Sequence, residues 1–169
     1  MKTLLTILGP NGVGKSTTAE EIINKYVNTA YVDSDWCRVM NPFIITEESK
    51  KTISQNIYCL LRNYLLCNSV NTVIFTYSWH GNRKEIYQKV IERLKNTRIA
   101  FREKILILKC SAEENIKRAT KDGRDIERIK RGMDMTYSFY DEFEYPIIDT
   151  NNMTPNEVAR IVYSFSNED

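Results

Sequence analysis

Near the start of the chain, Gly9-Pro10-Asn11-Gly12-Val13-Gly14-Lys15-Ser16-Thr17 gathers three glycines, a lysine and two hydroxyl side chains. The spacing matches G-x-x-x-x-G-K-[ST], and it stands after an apolar run and before a segment of helical periodicity. Glycines at Gly9, Gly12 and Gly14 let the backbone curl, so that the N–H groups of Asn11, Gly12, Val13 and Gly14 can point at phosphate oxygens. A helix opening near Gly14 adds its positive end. Lys15 is placed to reach the β- and γ-phosphates, the Ser16 hydroxyl to ligate Mg²⁺, and Thr17 to extend the donors toward the α-phosphate. The expected ligand is a nucleoside triphosphate with Mg²⁺.

A second cluster follows in "AYVDSDWCR", where Asp33 and Asp35 lie just past a short apolar run. In an open parallel sheet the ligand crevice lies at the C-terminal strand edge. Alternation along an extended chain would put both carboxylates on one face, able to converge on one metal-and-acceptor centre, or one of them could simply cap the following turn. Trp36, Arg38, Asn41, Pro42 and Phe43 come next, and the third apolar run ends in Tyr77, Ser78, Trp79 and His80. An aromatic wall with one fixed cation suits an acceptor that has a flat or apolar body and a polar or anionic handle, held by Arg38. Against this stands a plainer reading, in which Trp36 and Phe43 are core residues and His80 is a surface turn residue. Tyr137, Phe139, Tyr140 and Phe143 read as packing on a lid helix.

The elements that must carry these residues alternate along the chain. Strand candidates are Thr3 to Leu8, Ala30 to Val32, Thr72 to Tyr77, Ile105 to Cys110 and Pro146 to Ile148. Between them lie helical stripes: Ala19, Ile22, Ile23 and Tyr26; Ile53, Ile57, Leu60, Leu61, Tyr64 and Leu65; Ile86, Val90, Ile91 and Leu94. Two further helices carry start signals, a capping box at Ser111 to Glu114 and another at Thr154 to Glu157 with proline at the first helical position. This is the pattern of an α/β domain with a parallel sheet covered on both faces. From Arg118 to Arg131 the sequence is dense in charge and broken by Gly123, which predicts an exposed helical excursion, either a solvated face or a lid.

The phosphate loop, the D-x-D after the second strand and the late arginine-rich insertion resemble the small-molecule P-loop kinases, a group that includes shikimate, gluconate and nucleoside monophosphate kinases. "DSDWCRVMNPF" is similar, more narrowly, to small AAA-type kinases of unassigned acceptor. The resemblance implies a three-layer αβα P-loop NTPase fold with a five-stranded parallel sheet in order 2-3-1-4-5. It further implies a substrate-binding helical region at about 36–68 and a small helical lid at about 118–133, all within one domain spanning 1–169. It implies that Asp33 helps hold Mg²⁺ and Asp35 takes the acceptor's hydroxyl proton, or the reverse. It also places Arg118 against the adenine, Arg124 and Arg128 on the phosphates from the lid, and Asn151 in the last adenine-flanking loop. Phosphoryl transfer has a loose transition state, so positioning and charge neutralisation matter more than a strong base. The third strand lacks the terminal aspartate of many P-loop ATPases, which speaks against a motor or switch.

Composition narrows the partners. At 169 residues, Lys+Arg 24 against Asp+Glu 22 leave a net charge of +2, too small for a general nucleic-acid or membrane surface. The basic groups Arg83, Lys84, Lys89, Arg93 and Lys95, Arg98, Arg102 read as exposed helix and linker faces. Cys37, Cys59, Cys67 and Cys110 lack paired metal spacing, and His80 is the only histidine, so zinc is not expected. The opening "MKTLLTIL" runs into a glycine-rich turn rather than a cleavage site. The expectation is a cytoplasmic monomer or weak homodimer with reduced thiols, transferring phosphate from ATP to a small-molecule hydroxyl, without nucleic acid or membrane partners. An ATP-binding regulatory module and a kinase of polynucleotide or RNA ends are the alternatives.

Overall fold

Strand β1 (Lys2–Leu8) is buried from Thr3 onward, and its alternation sets the layers. Leu4 and Leu8 enter one core and Leu5 and Ile7 the other, because successive side chains leave opposite faces of a strand. The computed structural model describes residues 1–121, 123, 125, 127, 130 and 137–168. Around β1 stand β2 (Thr29–Asp33), β3 (Thr72–Thr76), β4 (Phe101–Lys109) and β5 (Ile147–Asp149). They form one five-stranded sheet in the order β2-β3-β1-β4-β5, with every pairing parallel. The α/β fold with strand order 2-3-1-4-5 is therefore the one expected.

Helices α1 (Lys15–Lys25) and α5 (Pro155–Asn167) cover one face, where Ala19, Ile22, Val158 and Val162 meet Leu5, Ile7 and Ile74. On the other face lie α2 (Glu47–Leu66) and α3 (Arg83–Lys95). Ile57, Leu61, Val90 and Leu94 pack there with Val73 and Phe75. Each such aliphatic side chain, almost wholly removed from water, stabilises the fold by about 2 kcal/mol. Helix α4 (Ala112–Lys121) follows β4. Among the described residues, no helix is long and apolar enough to cross a membrane.

Several elements differ from expectation. β4 begins at Phe101, not Ile105, because Arg102, Glu103 and Lys104 pair with Thr3, Leu4 and Leu5 in the same register as the apolar part. Their charges are met locally: Lys104 donates to the Phe165 carbonyl at 2.7 Å, and Glu103 pairs with Lys95 at 2.5 Å. The Thr154–Glu157 capping box is complete, whereas the one at Ser111 is half made. Glu114 N–H donates to Ser111 Oγ at 3.1 Å, but the Glu114 carboxylate accepts from Arg118 Nε at 2.9 Å. Ser111 N–H is satisfied by Asn151 Oδ1 instead, at 3.0 Å. Tyr140 lies in a 3₁₀ turn (Ser138–Glu142) and is fully buried in the main core. The expected lid segment falls largely outside the described residues, and Arg124 and Arg128 with it.

Candidate active site

The loop between β1 and α1 is shaped by glycine where side chains have no room. Gly9 takes φ +142°, and a Cβ there would overlap the Leu108 backbone carbonyl oxygen. Gly12 takes φ +84°, where a Cβ would strike Asn115 Oδ1. Both conformations disfavour other residues, and both close approaches require the missing side chain. Asn115, fully buried on α4, holds the loop by donating from Nδ2 to the Asn11 carbonyl at 2.9 Å. Lys15 folds over the loop and donates to the carbonyls of Gly9 and Pro10 at 2.8 and 2.9 Å.

Beside the loop, the end of β2 builds a compact polar knot. Asp33 is 8% exposed. Its Oδ2 accepts from Ser16 Oγ at 2.9 Å and from Tyr31 OH at 2.7 Å, and its Oδ1 accepts from the Asp35 backbone N–H at 2.8 Å. The chain turns here, with Asp35 at φ −72° and ψ −28°, so strand alternation does not bring the two carboxylates together. The turn instead leaves both along one cleft, and the Asp33 side chain stabilises it. The side chain of Asp35 is 75% exposed and lies 3.4 Å from Arg38 Nε.

Both carboxylates line one cleft of about 1060 Å³ that runs from the phosphate loop in two directions. One arm passes Asp33 and Asp35 to Tyr77, Ser78 and Arg83; the other passes Arg118 to Thr150, Met153 and Pro155. In the second arm Arg118 donates to Thr150 Oγ1 and the Thr150 carbonyl at 3.1 and 2.7 Å, tying α4 to the loop after β5. Asn151 does not line the cleft. It accepts from Ser111 and donates to Asp149 Oδ1 at 2.7 Å, which secures that loop from behind.

The first arm carries a concentration of positive charge. The Arg38 side chain is 13% exposed, and its guanidinium donates to the Ser34 carbonyl at 3.2 Å. Tyr77 OH donates to the Arg83 carbonyl at 3.0 Å and so ties the segment after β3 to the start of α3. Burial pushes the Tyr77 phenol up to about 12. Burial and then the nearby Arg38 charge pull the Arg83 guanidinium below its ordinary range, with Asp35 opposing. His80 is pulled down to about 4 by burial first and then by the charges of Arg83, Lys15 and Arg38. It is neutral near pH 7, and its buried Nδ1 has no hydrogen-bond partner among the described residues.

Of the residues expected to form the acceptor pocket, Asp35 and Tyr77 line the cleft and Arg38 pairs with Asp35 at 3.4 Å. Trp79 does not belong there. It is 3% exposed and packs edge-on against Tyr87, Phe143 and Tyr145 with centroids 5.2, 5.2 and 5.6 Å away, because the main core takes the inward-facing end of β3. Trp36 is 58% exposed and meets the Tyr31 ring edge-on at 4.9 Å, so it is not core. Arg83, read from sequence as part of an exposed basic face, lines the cleft. Its position at the first turn of the helix after β3 was the available signal. Asn115 and Tyr31 carried none that periodicity could reveal.

Metal donors are sparse. Among the described residues no three His, Cys, Asp or Glu side chains gather into a metal cluster. The Ser16 hydroxyl and Asp33 carboxylate, both hard oxygen donors lining the cleft beside the loop, suit a cation that keeps waters and phosphate oxygens as its other ligands.

The sheet order, the glycine loop and the helix it opens define a P-loop kinase-like α/β fold. No family model matches the chain, and no curated protein matches its sequence. Solved structures match it over nearly the full length. The Deinococcus radiodurans tunicamycin resistance protein superposes with a TM-score of 0.65 at 14% identity, covering 100% of this chain and 98% of that one. A Sinorhizobium meliloti gluconokinase gives 0.63 at 13%, covering 96% and 90%. Shikimate kinase from Acinetobacter baumannii, solved with shikimate, gives 0.61 at 15%, covering 98% and 93%. At these identities the likeness establishes the fold.

Proposed function

We propose that the protein transfers the γ-phosphoryl group of ATP to a hydroxyl of a small acceptor that carries an anionic group. The observation that carries this reading is the continuity of the cleft: Lys15, Ser16 and Asp33 lie in the same cavity as Asp35 and Arg83. A nucleotide-binding module that only reports occupancy has no need of a further arm lined by an open carboxylate and a half-buried arginine.

The residues divide the work by position. Backbone N–H groups of Gly12 to Thr17 and the start of α1 hold the phosphates. Lys15 exchanges its two carbonyl acceptors for phosphate oxygens, and Arg118 with Thr150 lines the arm for the base. Ser16 and Asp33 would hold Mg²⁺, which would supply charge neutralisation for the transferred phosphoryl group. Asp35 accepts the acceptor's hydroxyl proton as the new oxygen–phosphorus bond forms; the bond from the γ-phosphorus to the bridging oxygen breaks and ADP leaves with its electron pair. Arg38 and Arg83 grip the acceptor's anionic group and so orient its hydroxyl, a positioning effect that dominates when the transition state is loose. His80, neutral in this cationic setting, is not the base. Lid arginines Arg124 and Arg128 remain part of the proposal as phosphate contacts.

The test is ADP release from Mg-ATP with pooled hydroxy acids, sugar acids and nucleoside monophosphates, set against neutral sugars and nucleosides. Stimulation by anionic pools alone is expected. Stimulation by neutral pools alone would remove the anionic group from the reading. Slow, flat hydrolysis with all pools would favour a regulatory module or a macromolecular acceptor.

A further inference from the structure

The Asp33 carboxylate is more tightly held than a metal-binding group at a strand end needs to be, and the excess traces to one side chain. Tyr31 and Asp33 are two residues apart on β2, so their side chains share a face. Asp33 sits in register with Thr76 at the end of β3. Tyr31 OH donates to Asp33 Oδ2 at 2.7 Å and lies 3.2 Å from Thr76 Oγ1. A phenol has a single proton; with it committed to Asp33, the Thr76 hydroxyl is the donor in the second contact. The result is a directed chain, Thr76 to Tyr31 to Asp33, that ends beside Ser16. β3 offers no carboxylate at its end, and it contributes this hydroxyl instead.

We infer that Tyr31 is a positioning residue, which with Thr76 behind it turns Asp33 Oδ2 toward Ser16 and thereby sets the affinity of the metal site. The inference rests on reading Ser16 and Asp33 as the metal pair. Without Tyr31, Oδ2 keeps only the Ser16 bond, and the carboxylate is held besides only through Oδ1 by the Asp35 backbone N–H. Groups that orient a ligand in this way commonly change metal affinity while leaving the fold alone.

The experiment compares the wild-type chain with Tyr31→Phe, which keeps the ring and its edge contact with Trp36. Mn²⁺ binding is measured by water-proton relaxation with a β,γ-imido ATP analogue present, and analogue binding alone is measured in EDTA. The expected result is Mn²⁺ affinity about tenfold weaker, the loss of one hydrogen bond to a charged group, with metal-free nucleotide affinity unchanged. Equal Mn²⁺ affinity in the two proteins would overturn the inference while leaving the kinase reading intact. An equal loss of metal-free nucleotide affinity would also overturn it, by showing that Tyr31 acts on the phosphate loop. If wild type itself gave no Mn²⁺ signal with the analogue, the metal pair and the inference would fall together. Thr76→Val, which preserves the branched strand shape, serves if Tyr31→Phe does not fold; it should weaken Mn²⁺ about threefold, and no change would again refute the role.

Discussion

At the glycine-loop end the cleft is lined by one continuous run, Asn11 to Thr18, whereas at the other end Asp35, Tyr77 and Arg83 arrive from three separate segments. The first end is internally satisfied: Lys15 spans two loop carbonyls and Asn115 holds a third. The second is not. Arg38 pairs with the largely exposed Asp35 carboxylate, and the Arg83 side chain makes no hydrogen bond or ion pair among the described residues, feeling Asp35 only through space. A site made of backbone keeps its shape with or without ligand. A site made of converging like charges is electrostatically incomplete until an anion enters, which gives it affinity and selectivity together.

Removing the charge that serves the backbone end should have the largest effect. Lys15→Ala is expected to lower turnover about a thousandfold, the scale of losing a preorganised group at developing phosphate charge, with an unchanged circular dichroism spectrum. Near-normal turnover would end the reading of this loop as the catalytic one. A smaller and more selective effect is expected at the other end. Arg83→Gln should raise KM for an anionic acceptor about tenfold to a hundredfold, because a charge-assisted contact is lost, while nucleotide affinity measured separately stays constant. Should both parameters move together, the two ends would not be separable, and the contrast drawn here would fail.

The smallest effect is on stability. His80 takes up a proton near 6.5 when unfolded but only near 4 in the folded chain. Between those values the unfolded state binds more protons, so this group lowers stability as pH falls from about 6.5 toward 4 and contributes nothing above that window. His80→Gln should remove about 1 kcal/mol of that acid sensitivity, a figure already reduced for the group's partial exposure. Parallel denaturant titrations of the two proteins at pH 7 and pH 4.5 would detect it, and identical pH slopes would show that the cationic end does not act on His80.

The same contrast explains what could be read beforehand. The glycine loop, the short apolar strands and the Thr154 cap were legible because each depends on neighbours in sequence. The early part of β4 was not, since Arg102 and Lys104 conceal a strand whose place is set by pairing with β1. The Ser111 cap is half made because Arg118 competes for Glu114 and Asn151 supplies the missing partner from across the fold. Trp79 looked like a pocket wall because it follows a strand end, but the space it fills is core, closed by Phe143 and Tyr145 from a distant segment.

By itself the sequence determined that a glycine-rich loop opens a parallel α/β fold and that two aspartates stand beside it, because backbone conformation and apolar periodicity are local properties. Tertiary structure alone decided which charges share the cleft. It drew in Arg83, removed Trp79 and Asn151, and set Tyr31 behind Asp33, because convergence of side chains from separate strands depends on register and packing that no single stretch of chain contains.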